Sequence, residues 1–458
     1  MKGTSMLTFA IAGTLLLFSS CKKDILSQLP DAKPTVPVVV PDTTVTTKPT
    51  IYKRTINVGT GSGNLTIDGK TMSLQCNDLI KIKGGTYGGI NIKNILSADG
   101  CPITIKNEGL VEIAGNFNQL NLSDLKNVIV SGDGTSGIAK GFVLRDNSYR
   151  SVEMTGQINQ FTFQNVAFKN IANNVITYQI KTAYNGTDAT LSKDLKFLNI
   201  TCDNTAQLLS TGGDVENGNI TGLIKNIEIA YLDFQNSPGV GTVVYLGNVE
   251  NYNIHNNRIN NINTANNNHN GIFAISGNGS FHDNYVSNHQ GNAIRAWGHT
   301  VGSTPKNVYI YNNIVINSRK YSAFEVQSFP SKIVAGKTSY VNAVVFNNTA
   351  GNINISNDWQ GNLVDVYSLQ GGKCDVYNNL GYNFQPNNVI AGQEASTIPN
   401  AFTNLLYKTY TLAGIVNEVT FKLTGSSPAK NTGVATPFKI TDYYGSLRAA
   451  KPSIGAVE

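Results

Sequence analysis

The chain has 458 residues, only 14% of them charged, and a formal net charge of +6. That balance is small for the length and no Lys/Arg block occurs, which excludes a nucleic-acid partner held by phosphate neutralisation. A chain this long often divides into domains, but a solenoid can reach this length as one.

At the N-terminus Lys2 precedes an apolar run from Met6 to Phe18, followed by Ser19-Ser20-Cys21. The run is too short for a membrane span, and residues 1–20 read as a secretory signal. Residues 21–52 are dominated by Pro and Thr, cannot build a core, and read as an extended tether. Small residues directly before a Cys resemble the lipobox of bacterial lipoproteins. That resemblance implies cleavage before Cys21, acylation of Cys21, and a protein anchored by lipid in the cell envelope, at the outer membrane or cell surface.

Residues 79–115 contain strand-like runs around Gly84-Gly85-Thr86-Tyr87 and Pro102-Ile103-Thr104-Ile105. Cys76 and Cys101 each precede such a run, 25 residues apart. They can pair as a disulfide in an oxidising compartment or serve as small buried residues. With Cys202 and Cys374 they match no metal or redox spacing.

From about residue 160 to 380 one phrase recurs: an apolar residue, a variable one, then Asn or a near substitute. It starts at Phe163, Phe197, Ile229, Ile254, Phe281, Ile310, Val345 and Val376, in steps of 25 to 35 residues. A loose repeat of this length marks a solenoid. Apolar residues alternate with polar ones inside each repeat and Asn, Gly, Ser and Thr separate the runs, so the coils are built of strands and turns. The expected fold is all-β, a single-stranded right-handed parallel β-helix of ~11–13 coils stacked ~4.8 Å apart. It should span 53–400, with 401–458 as a closing segment. Ile254, Phe281 and Ile310 should stack in the core. Asn256-Asn257, Asp283-Asn284, Asn312-Asn313, Asn347-Asn348 and Asn378-Asn379 should form a ladder at one bend, where Asn tolerates left-handed backbone. The ladder closely resembles those of the pectate-lyase-like β-helix proteins. Residues 79–115 resemble the opening coil of the chondroitinase B and alginate lyase type. SPAKNTG from Ser427 and DYYGSLR from Asp442 resemble a closing segment of secreted β-helix proteins.

All five His lie between 255 and 299. His255, His282 and Tyr311 share one outward ladder position, as a strip of rings that can stack on sugar faces or on each other. A neighbouring set of strands, GIFAIS, AIRAWG, AFEVQS and LVDVYS, aligns Ile272, Ile294, Phe324 and Val364 inward. It places Phe273, Arg295, Glu325 and Asp365 outward, then Ile275, Trp297, Gln327 and Tyr367. His289 and Lys320 lie in the turns leading in, beside Tyr321, and His299 follows. The face is either a site or an exposed cross-strand ion pair.

The resemblance implies a polysaccharide as partner. Lyase chemistry on an acidic polysaccharide needs a base, for which Arg295, Lys320, His289 or Tyr321 are candidates. It also needs a cation against the substrate carboxylate, for which a calcium held by Glu325 and Asp365 is the candidate. Trp297, Gln327, Tyr367, His255, His282, Tyr311 and His299 would contact sugar. The lyase families' catalytic motifs have no residue-by-residue match here, so no catalytic residue is carried over. The adjacent Asp pair and Gly-His-Gly of the polygalacturonase type are absent, as is the Asp-Pro-His-Asp of the alginate epimerase type. The alternative is a non-catalytic surface protein that binds glycan or serves in adhesion.

Overall fold

The computed structural model describes residues 51–264, 267–386 and 389–458. The signal segment, Cys21 and all but the last two residues of the tether lie outside the described residues.

The alternation seen in the sequence becomes three parallel ladders, each strand pairing with its equivalent one coil later. The first ladder runs Ile56, Ile80, Ile105, Val130, Phe163, Phe197, Ile229, Ile254, Phe281, Ile310, Val345, Val376 and Ala401. That is thirteen rungs, at the upper end of the expected count, and all eight repeated phrases sit in register. Ile80 through Val376 are at most 2% exposed. Inward residues of all three ladders form one continuous cluster. Stacking is what removes this apolar surface from water, because no single coil can enclose it.

The corner after the first ladder explains the paired Asn residues. The first member of each pair takes left-handed backbone, with φ of 53°, 53°, 54°, 52° and 55° at Asn256, Asp283, Asn312, Asn347 and Asn378. The second turns inward. Asn257, Asn284, Asn313, Asn348 and Asn379 are at most 1% exposed. Each Nδ2 donates to the Oδ1 of the next, at 2.9 to 3.0 Å, and the chain ends at Asn404. Each also donates to a carbonyl one coil back, such as Asn313 to Phe281 at 3.0 Å. The amides therefore satisfy buried backbone that the bend takes out of the strand pairing. A second Asn ladder, on the outer side of the next corner, follows five residues later in the chain. Asn383, Asn352, Asn317 and Asn288 are linked Nδ2 to Oδ1.

The second ladder passes through Val244, Phe273, Ile294, Phe324 and Val364. Here the expected register needs one correction. Ile294 pairs with Phe273, not Ile272, so Phe273 and Ile275 face the core while Ala274 and Ser276 align with Arg295 and Trp297. The continuous strand Gly271–His282 bends from the second ladder into the first, and Gly277 makes the bend at φ 142°. A Cβ there would lie 1.7 Å from the Val249 carbonyl oxygen. This close approach sets the phase of the strand before it.

Cys76 and Cys101 form a disulfide, with Cα atoms 4.6 Å apart. Parallel pairing extends to Leu405–Tyr407, a little past the expected boundary at 400. The remaining segment does not act as a lid over the last coil alone. It folds back along the flank and packs Ile415, Phe421, Tyr443 and Ile454 on Ile314, Ile316, Leu380 and Tyr382, outward residues of the third ladder. Arg448 anchors it, donating from Nη2 to Asn312 Oδ1 at 2.7 Å.

Candidate functional site

The outer face of the second ladder carries the strand positions Ala274, Arg295, Glu325, Asp365 and Gly392 in register. Phe324 and Val326 point into the core at 0% and 1% exposure, so Glu325 must point out. It is nonetheless fully buried, because neighbouring side chains close over it. Arg295 Nε donates to Glu325 Oε1 at 2.8 Å. His269, from the loop preceding the strand Gly271–His282, brings Nε2 within 3.3 Å of Glu325 Oε2. Gly271 leaves room for the Arg295 stem, since a Cβ there would lie 2.7 Å from Arg295 Cγ.

His269 is held on several sides. Its Nε2 lies 2.8 Å from Asn292 Oδ1, its ring stacks on Tyr321 at 4.1 Å, and its carbonyl accepts from Arg295 Nη1 at 3.1 Å. Asn292 Oδ1 opposite Nε2 fixes the proton there, which leaves Nδ1 as the lone-pair nitrogen; Glu325 Oε2 is close but not hydrogen-bonded among the described residues. Nδ1 has no hydrogen-bond partner among the described residues, and neither has Arg295 Nη2. Burial lowers the His269 pKa, the nearby Glu325 carboxylate opposing it, so the neutral ring prevails at neutral pH. Tyr321 is itself placed by its hydroxyl, which donates to the Asn267 carbonyl at 2.8 Å. The Arg295 guanidinium lies 5.5 Å from the Trp297 ring, and Trp297 meets Tyr245 edge-on.

Asp365 is a different kind of carboxylate. Its Oδ1 accepts from Ser322 Oγ and Asn362 Nδ2, both at 2.8 Å. Burial dominates these bonds and pushes its pKa up to about 7. Glu325 and Asp365 thus do not fit the expected calcium pair. One has its oxygens turned to Arg295 and His269, and the other is buried beneath an amide and a hydroxyl. No cluster of three or more His, Cys, Asp or Glu suited to a metal occurs among the described residues.

Several expected site residues lie elsewhere. His289 is fully buried and burial holds its pKa down to about 4, so it cannot reach a substrate as a base. His299 is likewise buried, with a pKa lowered to about 4 and Nε2 3.1 Å from Asn248 Oδ1. Lys320 is paired with Asp358 at 3.0 Å and lies over the rings of Tyr321 and Trp359, at the edge of the site. Gln327 and Tyr367 flank the carboxylates, half-buried.

His255, His282 and Tyr311 belong to the first ladder's outer face, apart from this cluster. Their rings stack at 5.0 and 4.6 Å and continue to Phe346, Tyr377 and Phe402. Each face meets another ring, and Phe438 of the flanking segment covers Tyr311 and Phe346 edge-on. His255, His282 and Tyr311 therefore stiffen the sheet and offer no open ring face to a sugar, and only Phe402 at the end of the strip is exposed. Sequence reasoning missed His269 as the histidine of the site. It sits just before the strand Gly271–His282, after a run of Asn where no strand pattern assigns a direction. The crowding of all five His into 255–299 was the one signal.

No family profile matches the sequence, and no curated protein matches it. Solved structures give distant likenesses. Pectate lyase Pel9A is 16% identical with a TM-score of 0.40, covering 89% of this chain and 97% of that one. The PL6 family polysaccharide lyase Pedsa3628 from Pseudopedobacter saltans is 12% identical with a TM-score of 0.39, covering 88% and 99%. An alginate lyase from Paenibacillus sp. str. FPU-7 is 16% identical with a TM-score of 0.29, covering 78% and 98%. Scores this low carry no argument about reaction or residues; the ladders themselves make this chain a parallel β-helix.

Proposed function

We propose that the protein cleaves an acidic polysaccharide by β-elimination at the His269–Arg295 cluster. The observation that carries this is an imidazole whose Nε2 is bonded to Asn292 Oδ1 and lies 3.3 Å from Glu325 Oε2 while Nδ1 is left as a lone pair, beside a guanidinium with Nη2 uncommitted among the described residues. Arg295 pairs with the sugar carboxylate and acidifies the adjacent C–H. His269 Nδ1 takes that proton, the electron pair forms the C=C bond, and the glycosidic C–O bond breaks, its oxygen protonated by water. Glu325 steadies the imidazolium and orients it. Arg295 supplies the positive charge, so the reading needs no calcium.

The test is a screen of acidic polysaccharides for the ultraviolet absorbance of the unsaturated product, with calcium and with chelator. His269→Gln should abolish product while preserving binding. The edge-on aromatic rim of Tyr245, Trp297 and Phe329 favours the second reading, a non-catalytic glycan-binding protein. Binding without product from any substrate would establish it. We further propose that acylated Cys21 holds the β-helix at the cell envelope on the 21–52 tether. Cys21→Ala should then move the protein from the membrane to the soluble fraction, and unchanged retention would refute the anchor.

A further inference from the structure

Four rungs before Arg295 on the same outer face, the ladder Arg295, Ala274, Tyr245, Ser210, Thr177 reaches a cleft of about 460 Å³. Its lining includes Arg150, Glu153, Met154, Thr177, Lys181 and Leu191. Gln157 pins the loop that walls it, donating from Nε2 to the carbonyls of Asp188 and Leu191 at 3.1 and 2.9 Å. Thr177 is 2% exposed and its hydroxyl has no partner among the described residues. Arg150 Nε is buried and equally unpartnered, although Nη1 donates to Glu153 Oε1 at 3.3 Å. Buried polar groups are seldom left unpaired, and two in one cleft point to a ligand.

We infer that this cleft is a second carbohydrate subsite, which takes an acidic sugar unit of the same chain that is cleaved at Arg295. Arg150 and Lys181 outweigh Glu153 in charge and favour a carboxylate. The Thr177 hydroxyl and the free Glu153 edge suit sugar hydroxyls. Ser210, Tyr245 and Ala274 connect the two places along one row. Four coil steps of ~4.8 Å place them ~19 Å apart, a span bridged only by an oligosaccharide of several units. The inference rests on the proposed function for its substrate class, but its readout is binding rather than turnover.

The experiment uses calorimetry with dimers and hexamers of galacturonate, mannuronate, guluronate and a glucuronate-containing chain. Arg150→Ala and Thr177→Val are compared with wild type, each also in an Arg295→Lys background. One hexamer should bind Arg150→Ala about tenfold or more weakly than wild type, the loss of a charge-assisted hydrogen bond. Thr177→Val, which preserves shape, should weaken the same hexamer, and dimers seated at Arg295 should be unaffected by either change. The length dependence should survive in the Arg295→Lys background. Hexamer and dimer responding alike, a neutral cello-hexamer binding as well as the acidic ones, or no acidic oligomer binding at all would overturn the subsite. Product formation without any length dependence would overturn the subsite and leave the proposed reaction standing. Length-dependent binding without product would do the reverse.

Discussion

The Arg295–Glu325 pair decides whether the outer face is a simple exposed ion pair. An exposed pair contributes ~0–1 kcal/mol, and truncating it barely alters stability. Here Glu325 side-chain exposure is 0% and that of Arg295 is 21%. Removing the guanidinium strands a buried carboxylate, which in such settings costs ~3–5 kcal/mol. His269 remains 3.3 Å from Oε2 and can take part of the charge, and the partial exposure of Arg295 lowers the figure again. Arg295→Met should therefore cost ~2–4 kcal/mol. Glu325→Gln removes the charge that needs a partner, so the double variant should recover much of the loss, with a coupling energy near ~2 kcal/mol. Urea unfolding followed by circular dichroism and Trp fluorescence measures all four corners of the cycle, and coincident transitions license the subtraction. Two single variants within about 1 kcal/mol of wild type and no coupling would refute the burial argument. Turnover assays of Arg295 variants must accordingly be read only where the variant is shown to be folded.

Asp365 has a folded pKa raised to about 7, so folding loses stability as pH climbs from the ordinary carboxylate range to that value. Asp365→Asn should be near neutral at pH 4.5 and stabilising at pH 8, by at most ~4 kcal/mol, and an equal effect at both pH values would contradict this. His289 shifts the other way, to about 4, so its contribution is lost as pH falls from 6.5 toward 4. His289→Met should gain on wild type over that window in thermal melts, and a constant difference would refute it. Asn313→Ala should cost ~3–5 kcal/mol because it strands the Asn284 N–H and amide, which both donate to Asn313 Oδ1 at 3.0 Å. Asn317→Gly, on the outer ladder, keeps the left-handed backbone and should cost ~1 kcal/mol or less; similar losses in denaturant at both positions would show that burial is not the cause.

The first ladder was legible because one strand residue and one corner residue repeat together, so Phe163 through Val376 fell into register from sequence alone. The earlier rungs Ile56, Ile80, Ile105 and Val130 lack the Asn pair; the resemblance of residues 79–115 to an opening coil located Ile80 and Ile105, and nothing in the repeat located the other two. The second ladder was legible where a charged residue marks the outward phase, as in Arg295, Glu325 and Asp365. It failed by one residue at GIFAIS, where Ile272, Phe273, Ala274 and Ile275 are all apolar and alternation gives no direction. The phase there is set by the bend at Gly277, a contact with Val249 that strand pattern does not encode. Glu325 was expected on an open sheet because alternation tells inside from outside, not covered from exposed. The cover comes from His269 in a loop. The flanking segment escaped for a related reason: its apolar partners, Ile314, Ile316 and Leu380, are outward residues of a sheet whose inner face was already full.

That flanking segment also changes how the solenoid can come apart. Stacked coils touch only their neighbours, so an unsupported end frays one coil at a time. The segment packs across Tyr285, Ile314, Leu380 and Leu405, rungs of the third ladder that also includes Thr349. Those five coils are thus joined by one piece of chain and must open together. At the other end the Cys76–Cys101 bond joins the first coils covalently. The stretch between is held mainly coil to coil, with two longer ties, Lys140 Nζ to Asn199 Oδ1 at 2.5 Å and the Asn217 N–H to the Ser331 carbonyl at 2.9 Å. Amide hydrogen exchange should accordingly show its earliest subglobal opening in the middle coils, around Val152 to Thr205, ahead of the coil whose 214–221 hairpin is tied to Ser331, with the termini slower. The cleft at Arg150 belongs to the part that opens first, and the Arg295 cluster to the part held to the last.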